Sequence, residues 1–134
     1  MYNTIEDGSS LEILLDDVSP ETLFTESLLA LSDVLSEATG GTQVTHEVQV
    51  AASDLQGLLT AWVEELVRLA ESDGFIPERV YKERLESSSF RAMVAGERSI
   101  PRAEIRGVTC RAVELKRLDD GAWAARVSLH AGAE

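Results

Sequence analysis

The chain has 134 residues, with 24 acidic and 12 basic side chains and a formal net charge of −12. Its content of 44% hydrophobic and 27% charged residues is that of a folded protein and not of a disordered tail. No apolar run reaches the roughly 18–20 residues of a membrane-spanning helix. A secretory signal begins with a basic flank, and the first basic residue is Arg68. We therefore expect one cytoplasmic domain over residues 1–134, without a membrane partner.

The charge is distributed unevenly along the chain. Residues 1–67 contain 13 acidic and no basic side chains, whereas residues 68–134 contain 11 acidic and 12 basic ones. Affinity for nucleic acids depends largely on Lys and Arg that neutralise phosphates. We therefore expect no direct nucleic-acid binding by the N-terminal half. Its acidic surface could bind a cation or a basic partner protein, or could serve only to keep the protein soluble.

Two segments have the apolar spacing of three and four residues that predicts a helix with one buried face. The first follows Ser19-Pro20-Glu21, which supplies the hydroxyl, proline and acid of a helix start, and it ends at Gly40-Gly41. The second follows Ser53-Asp54-Leu55-Gln56, which has the spacing of a capping box, and it ends at Asp73-Gly74.

Most of the remaining chain predicts β-strands. Leu11–Leu15 is a short apolar run, and Val44–Val50 alternates apolar and polar residues. Further extended segments are predicted at Arg79–Leu85, Phe90–Ala95, Glu104–Leu118 and Trp123–Leu129, with a hairpin turn at Asp119-Asp120-Gly121. The sequence therefore predicts an α+β domain with two helices packed on a largely antiparallel or mixed sheet.

Catalytic motifs are weak in this chain. The pair His46-Glu47 lacks the second histidine of a zinc-protease helix, and there is no glycine-rich phosphate loop. We interpret His46, which lies among valines, as a partly buried core residue, and Cys110 as a structural cysteine. A metal hydrolase stays open as an alternative, because several residues could bind an ion: Glu6, Asp7, Asp16, Asp17 and His130.

The order of these segments resembles that of the archease family, the small acidic proteins that assist RtcB-type RNA-splicing ligases. The resemblance covers nearly the whole chain. Four segments carry it: Tyr2 through Phe24, the helix Asp54–Leu66, the strand end Gly96-Glu97, and Glu104-Ile105-Arg106-Gly107-Val108-Thr109 followed by Trp123–Leu129. Each motif is common by itself, but four in order with compatible spacing are specific.

The resemblance implies a divalent metal site at Glu6, Asp7, Ser10 and His130. In the family, the closing aspartate of the motif D-H-T-A-D and an aspartate after the last strand are metal ligands. Here the motif aligns with Glu6–Ser10, so that Ser10 and His130 replace the two aspartates. Ca²⁺ and Mg²⁺ require several oxygen ligands and should bind weakly, whereas His130 with an acid suits zinc, Mn²⁺ or another transition metal.

The resemblance also implies the function. A family member has no reaction of its own, docks on an RtcB-type RNA ligase, and helps it to accept guanylate from GTP in tRNA splicing or RNA repair. We expect the chain's two extremities to meet in one anionic tip built from Glu6, Asp7, Asp16 and Asp17. Arg106, Asp16 and Asp17 are the expected partner-binding residues. The alternative is a diverged archease-like chaperone or protein-binding module that has lost the metal site.

Overall fold

The computed structural model describes residues 2–7, 10–17, 19–35, 42–98 and 109–130. These residues form two α-helices and seven β-strands. In chain order the elements are β1 (Tyr2–Asp7), β2 (Ser10–Asp17), α1 (Pro20–Leu35), β3 (Thr42–Ala51), α2 (Leu55–Asp73), β4 (Phe75–Leu85), β5 (Ser89–Arg98), β6 (Thr109–Arg117) and β7 (Trp123–His130). Within the described residues, no helix is long and apolar enough to cross a membrane.

The strands form two antiparallel sheets. The first has the order β1-β2-β7-β6 and the second the order β3-β5-β4. The predicted α+β class with two helices is confirmed. The structure adds that the strands divide into two sheets, which the period-two pattern of each strand by itself does not specify.

The two helices lie between the sheets, since each of them contacts both. Helix α1 packs on β2 and on β4, and helix α2 packs on β6 and on β3. A helix covered on two sides needs an apolar surface wider than a single stripe, and both helices have one. Each sheet therefore buries the face toward the helices and leaves its outer face to solvent.

Three aromatic rings occupy the centre of the core. The rings of Phe24 and Phe90 stack at 4.1 Å, and the Trp62 ring meets Phe90 edge-on at 4.9 Å. The Trp62 indole N–H donates to the Phe24 carbonyl oxygen at 2.9 Å and to the Ser27 hydroxyl oxygen at 3.1 Å. Because this N–H is fully buried, its two acceptors remove the cost of burying a polar group.

The start of α2 differs from the predicted capping box. Asp54, and not Ser53, is the N-cap, and its carboxylate accepts from the Gly57 backbone N–H at 2.7 Å. The Gln56 side chain instead accepts from the Leu115 backbone N–H of edge strand β6 at 2.9 Å. Gln56, which the local pattern assigns to capping the helix start, thus makes a tertiary contact instead. At the other end, the helix ends at Asp73-Gly74 as predicted, and Gly74 adopts a left-handed conformation.

Several smaller predictions are confirmed. The β6–β7 hairpin closes with Gly121 at φ +88°. His46 is partly buried, and its ring meets the Phe75 ring edge-on at 4.6 Å. Cys110 is half-buried, and burial raises the pKa of its thiol to about 11, helped by the nearby Glu64 carboxylate. A thiol with that pKa carries almost no thiolate at neutral pH, as expected of a structural cysteine.

The Trp62 hydrogen bonds generate a stability prediction. Trp62→Phe keeps an aromatic ring but removes the N–H and leaves a void, so we expect it to lower the free energy of unfolding by about 2–3 kcal/mol. Trp123→Phe is the matched control, because Trp123 is only partly buried; we expect it to cost about 1 kcal/mol or less. Urea unfolding of both variants checks this. Equal costs would contradict the central role of Trp62.

Candidate functional site

One row of residues crosses the end of the four-stranded sheet. Asp7 pairs with Ser10 across β1 and β2, Ser10 pairs with His130 across β2 and β7, and His130 pairs with Thr109 across β7 and β6. Neighbouring strands lie about 4.8 Å apart. The opening hairpin and the closing strand, 120 residues apart in sequence, therefore meet as the resemblance implied. We call this row the sheet-end row.

Ser10 and His130 lie on the outer face of the sheet. Their neighbours Leu11 and Leu129 are buried against the helices, and successive side chains in a strand point to opposite faces. Ser10 is exposed and His130 is half-buried. The Nδ1 atom of His130 is buried, and within the described residues it has no hydrogen-bond partner.

The donor set of the sheet-end row fits some metals better than others. A hydroxyl and an imidazole replace two carboxylates, so the row has fewer of the negative oxygen ligands that Ca²⁺ and Mg²⁺ require. An imidazole suits zinc or another transition metal. Among the described side chains, no group of three or more His, Cys, Asp or Glu is arranged to hold an ion. The side chains of Glu6 and Asp7 lie outside the described part, which includes only their backbone in β1.

The predicted acidic tip is divided in the structure. Asp16 and Asp17 lie at the opposite end of β2 from Ser10, six and seven residues along the strand. At about 3.4 Å per residue, this places their backbones about 20 Å or more from the sheet-end row. The expectation that Glu6, Asp7, Asp16 and Asp17 form one tip is therefore wrong. The reason is that β1 and β2 form an antiparallel hairpin, in which Glu6 and Asp7 lie at the turn and Asp16 and Asp17 lie at the opposite, open end.

Asp16 and Asp17 also point to opposite faces of the sheet. Asp16 is exposed on the outer face, whereas Asp17 is half-buried on the face toward α1. There the carboxyl group of Glu26 is hydrogen-bonded to Asp17. Of the two predicted partner contacts on β2, Asp16 is thus the accessible one. Arg106, the third, lies outside the described residues.

The buried acid Glu26 is a feature that the sequence reading missed. It lies in α1 and is 7% exposed. Burial raises the pKa of Glu26, and the Asp17 carboxylate raises it further. Nearby, the Tyr2 hydroxyl donates to Asp33, and this bond raises the pKa of Tyr2. The signal in the sequence is an acid three residues after Leu23, at a spacing that the helix otherwise gives to apolar residues.

Comparison with protein families identifies relatives over nearly the whole chain. Residues 2–129 match the model described as the archease protein family. The archease of Methanosarcina acetivorans is 30% identical over 137 residues, covering 94% of this chain and 92% of the relative. The archease of Methanosarcina mazei is 28% identical with the same coverage.

Solved structures have the same fold. A protein of Methanobacterium thermoautotrophicum superposes with a TM-score of 0.69 at 16% identity, covering 96% of this chain and 97% of that one. An archease of Thermotoga maritima, described as a possible chaperone, has a TM-score of 0.58 at 15% identity and covers 99% and 98%. At these identities the comparison establishes the fold alone.

The Glu26 environment predicts a pH dependence of stability. An acid whose pKa is raised by folding binds its proton more tightly in the folded state, so its contribution is most favourable below the ordinary pKa of 4.5 and is lost as pH rises through the folded-state value. Glu26→Gln removes this titration. We expect the variant to gain stability over the natural protein as pH rises from 4 toward 7.

Denaturant unfolding at several pH values measures this difference. Glu78→Gln, an exposed acid on β4, is the control and should give a difference that is small at every pH. A gain for Glu26→Gln that shrinks as pH rises would contradict the prediction.

Proposed function

Because this chain belongs to the archease family, we propose that it is a non-catalytic accessory protein that binds an RtcB-type RNA ligase and promotes its guanylation in tRNA splicing or RNA repair. The observation that carries the proposal is the sheet-end row, which joins the acidic opening of the chain to its closing strand. A docking corner made from both ends of the chain requires this meeting.

Charge supports the choice of partner. An enzyme that binds RNA and GTP has a cationic active site, because it must hold phosphates. Residues 1–67 carry 13 acids and no base, so this half of the chain complements such a site and accelerates encounter with it. In this proposal Glu6 and Asp7 approach the ligase at the sheet-end row. Asp16, on the same sheet, and Arg106 make further partner contacts.

The departures at Ser10 and His130 favour a second candidate. A chain without the two carboxylates could retain the scaffold as a chaperone-like or protein-binding module that uses no metal. The two candidates share the fold and the acidic surface and differ in the response of the ligase and in metal binding. Both are measurable on the purified protein.

The proposed activation is tested with the RtcB-type ligase of the same cell. Adding the protein should raise the rate at which the ligase incorporates radiolabelled guanylate from GTP. The double variant Glu6→Lys, Asp7→Lys should abolish the gain, because it reverses the charge at the sheet-end row.

The control reverses two acids elsewhere. The double variant Glu78→Lys, Glu86→Lys changes the net charge equally at exposed positions on β4 and in the β4–β5 turn, and it should retain most of the gain. An unchanged ligase rate under saturating natural protein would refute the activator role and favour the protein-binding module.

Metal binding is a separate proposal with its own test. We expect Ca²⁺ and Mg²⁺ to leave the melting temperature nearly unchanged and Zn²⁺ or Mn²⁺ to raise it, because of the imidazole in the donor set. His130→Ala should remove this effect. His46→Gln changes the other of the two histidines and should retain the rise in melting temperature.

The result separates the two candidates further. If neither Zn²⁺ nor Mn²⁺ binds in calorimetric titration and the protein stays folded, the metal-free module is favoured. Tight Ca²⁺ binding that survives His130→Ala would contradict the assignment of the metal site.

A further inference from the structure

The outer face of the four-stranded sheet has an open groove of about 540 Å³, well separated from the sheet-end row. It lies where β2 and β6 end and β7 begins. Its lining includes Leu14, Asp16, Glu114, Lys116, Leu118 and Ala124. We call it the Ala124 groove.

The strand register explains why the sheet surface is hollow here. Asp16 on β2 pairs with Ala124 on β7, and Ala124 pairs with Lys116 on β6. The central strand contributes only a methyl group, while both flanking strands carry longer charged side chains. With strands about 4.8 Å apart, the two walls stand about 10 Å apart. A slot of this width admits one large side chain or one extended chain.

The groove has apolar lining on a largely polar face, where the exposed Ile5 of β1, which does not line the groove, is another large apolar side chain. Along the outer face of β2, Ser10, Glu12 and Asp16 are polar, and Leu14 breaks the alternation. Leu118, at the end of β6, adds a second half-buried apolar side chain. An apolar pocket with a charged rim is the usual form of a site that receives an anchoring side chain of a partner.

The charges at the rim nearly cancel. Arg126, which also lines the groove, is bound to Glu12 through two hydrogen bonds of 2.6 and 2.9 Å, and Glu114 is close enough to influence it. Asp16 and Lys116 are of opposite sign. The sign of the charge that a partner should carry is therefore set by the electrostatic field of the whole molecule, whose net charge is −12. The exposed acids of the adjoining turn, Asp119 and Asp120, add to this negative field.

We infer that the Ala124 groove is a docking site for a basic segment of a partner protein, in which a large apolar side chain is flanked by Lys or Arg. The apolar side chain fills the slot over Ala124, and the flanking bases face the acidic surroundings. A second copy of the chain is disfavoured as the occupant, because two copies that each carry −12 repel each other.

The test uses two fluorescein-labelled peptides, Lys-Lys-Trp-Lys-Lys and Lys-Lys-Ala-Lys-Lys, at physiological ionic strength. Fluorescence anisotropy should show markedly tighter binding of the tryptophan peptide, and backbone amide NMR shifts should concentrate around Leu14, Lys116 and Ala124. Equal binding of the two peptides would overturn the inference, because it would reflect the net charge alone. NMR shifts at the groove on raising the protein concentration without peptide would indicate a second copy and overturn it too.

Two variants of matched size localise the binding. Ala124→Tyr fills the groove and should remove the preference for tryptophan. Ala112→Tyr adds the same ring to an exposed position on the outer face of β6 and should retain the preference for the tryptophan peptide. If Ala124→Tyr fails to fold, Leu14→Thr replaces it, since it removes apolar lining at a strand position. Binding that survives filling of the groove would overturn the inference.

The identity of the partner rests on the proposed function and is tested separately. If the ligase is that partner, Ala124→Tyr should weaken its binding in calorimetry, whereas Ala112→Tyr should not. A ligase that binds and is activated equally by both variants would refute the groove as its docking site and leave activation intact. A ligase that does not respond to the natural protein would refute the proposed function, and the peptide result would still decide the groove.

Discussion

The antiparallel ladder between β2 and β7 is the constraint on which the rest of this structure depends. It joins residues 10–17 to residues 123–130 in unbroken register, from Asp17 opposite Trp123 to Ser10 opposite His130. On its inner face Ile13 and Val127 pair and are both fully buried. A slip of one residue would move these side chains to solvent and bring polar ones into the core, so the buried face holds the register. The same register determines which residues meet at each end of the sheet.

The helix layer explains where function can be located. Because α1 and α2 are covered by a sheet on each side, their apolar surfaces are used for packing around the stacked rings of Phe24 and Phe90. Binding surfaces are then left to the outer faces, the ends and the edges of the sheets. At edge strand β6, one backbone donor is satisfied by Gln56 of α2, which reduces its capacity to pair with another strand. The sheet-end row lies at one end of the four-stranded sheet, and the Ala124 groove lies on its outer face.

The acids near the start of the chain lie at two separate places on one sheet. At the sheet-end row, a hydroxyl and an imidazole stand in the positions for which the family resemblance implies carboxylates. About 20 Å along β2, Asp16 borders a groove with apolar lining, while Asp17 turns inward to Glu26. Acids that are close in sequence thus have different environments. Asp16 is exposed on the outer face, whereas Asp17 is half-buried and hydrogen-bonded to the buried Glu26.

The sequence by itself determined the secondary structure types, because apolar spacing, the Gly74 that ends α2 and the Asp119-Asp120-Gly121 turn act through local geometry. Through the family resemblance, it also implied that Ser10 and His130 lie together. Only the tertiary structure decided the two-sheet division, the use of Gln56 at the β6 edge, the burial of Glu26 and the separation of Asp16 from Ser10. These features depend on which strands pair and what covers each helix. Such contacts join residues far apart in the chain, and the local pattern around each residue does not encode them.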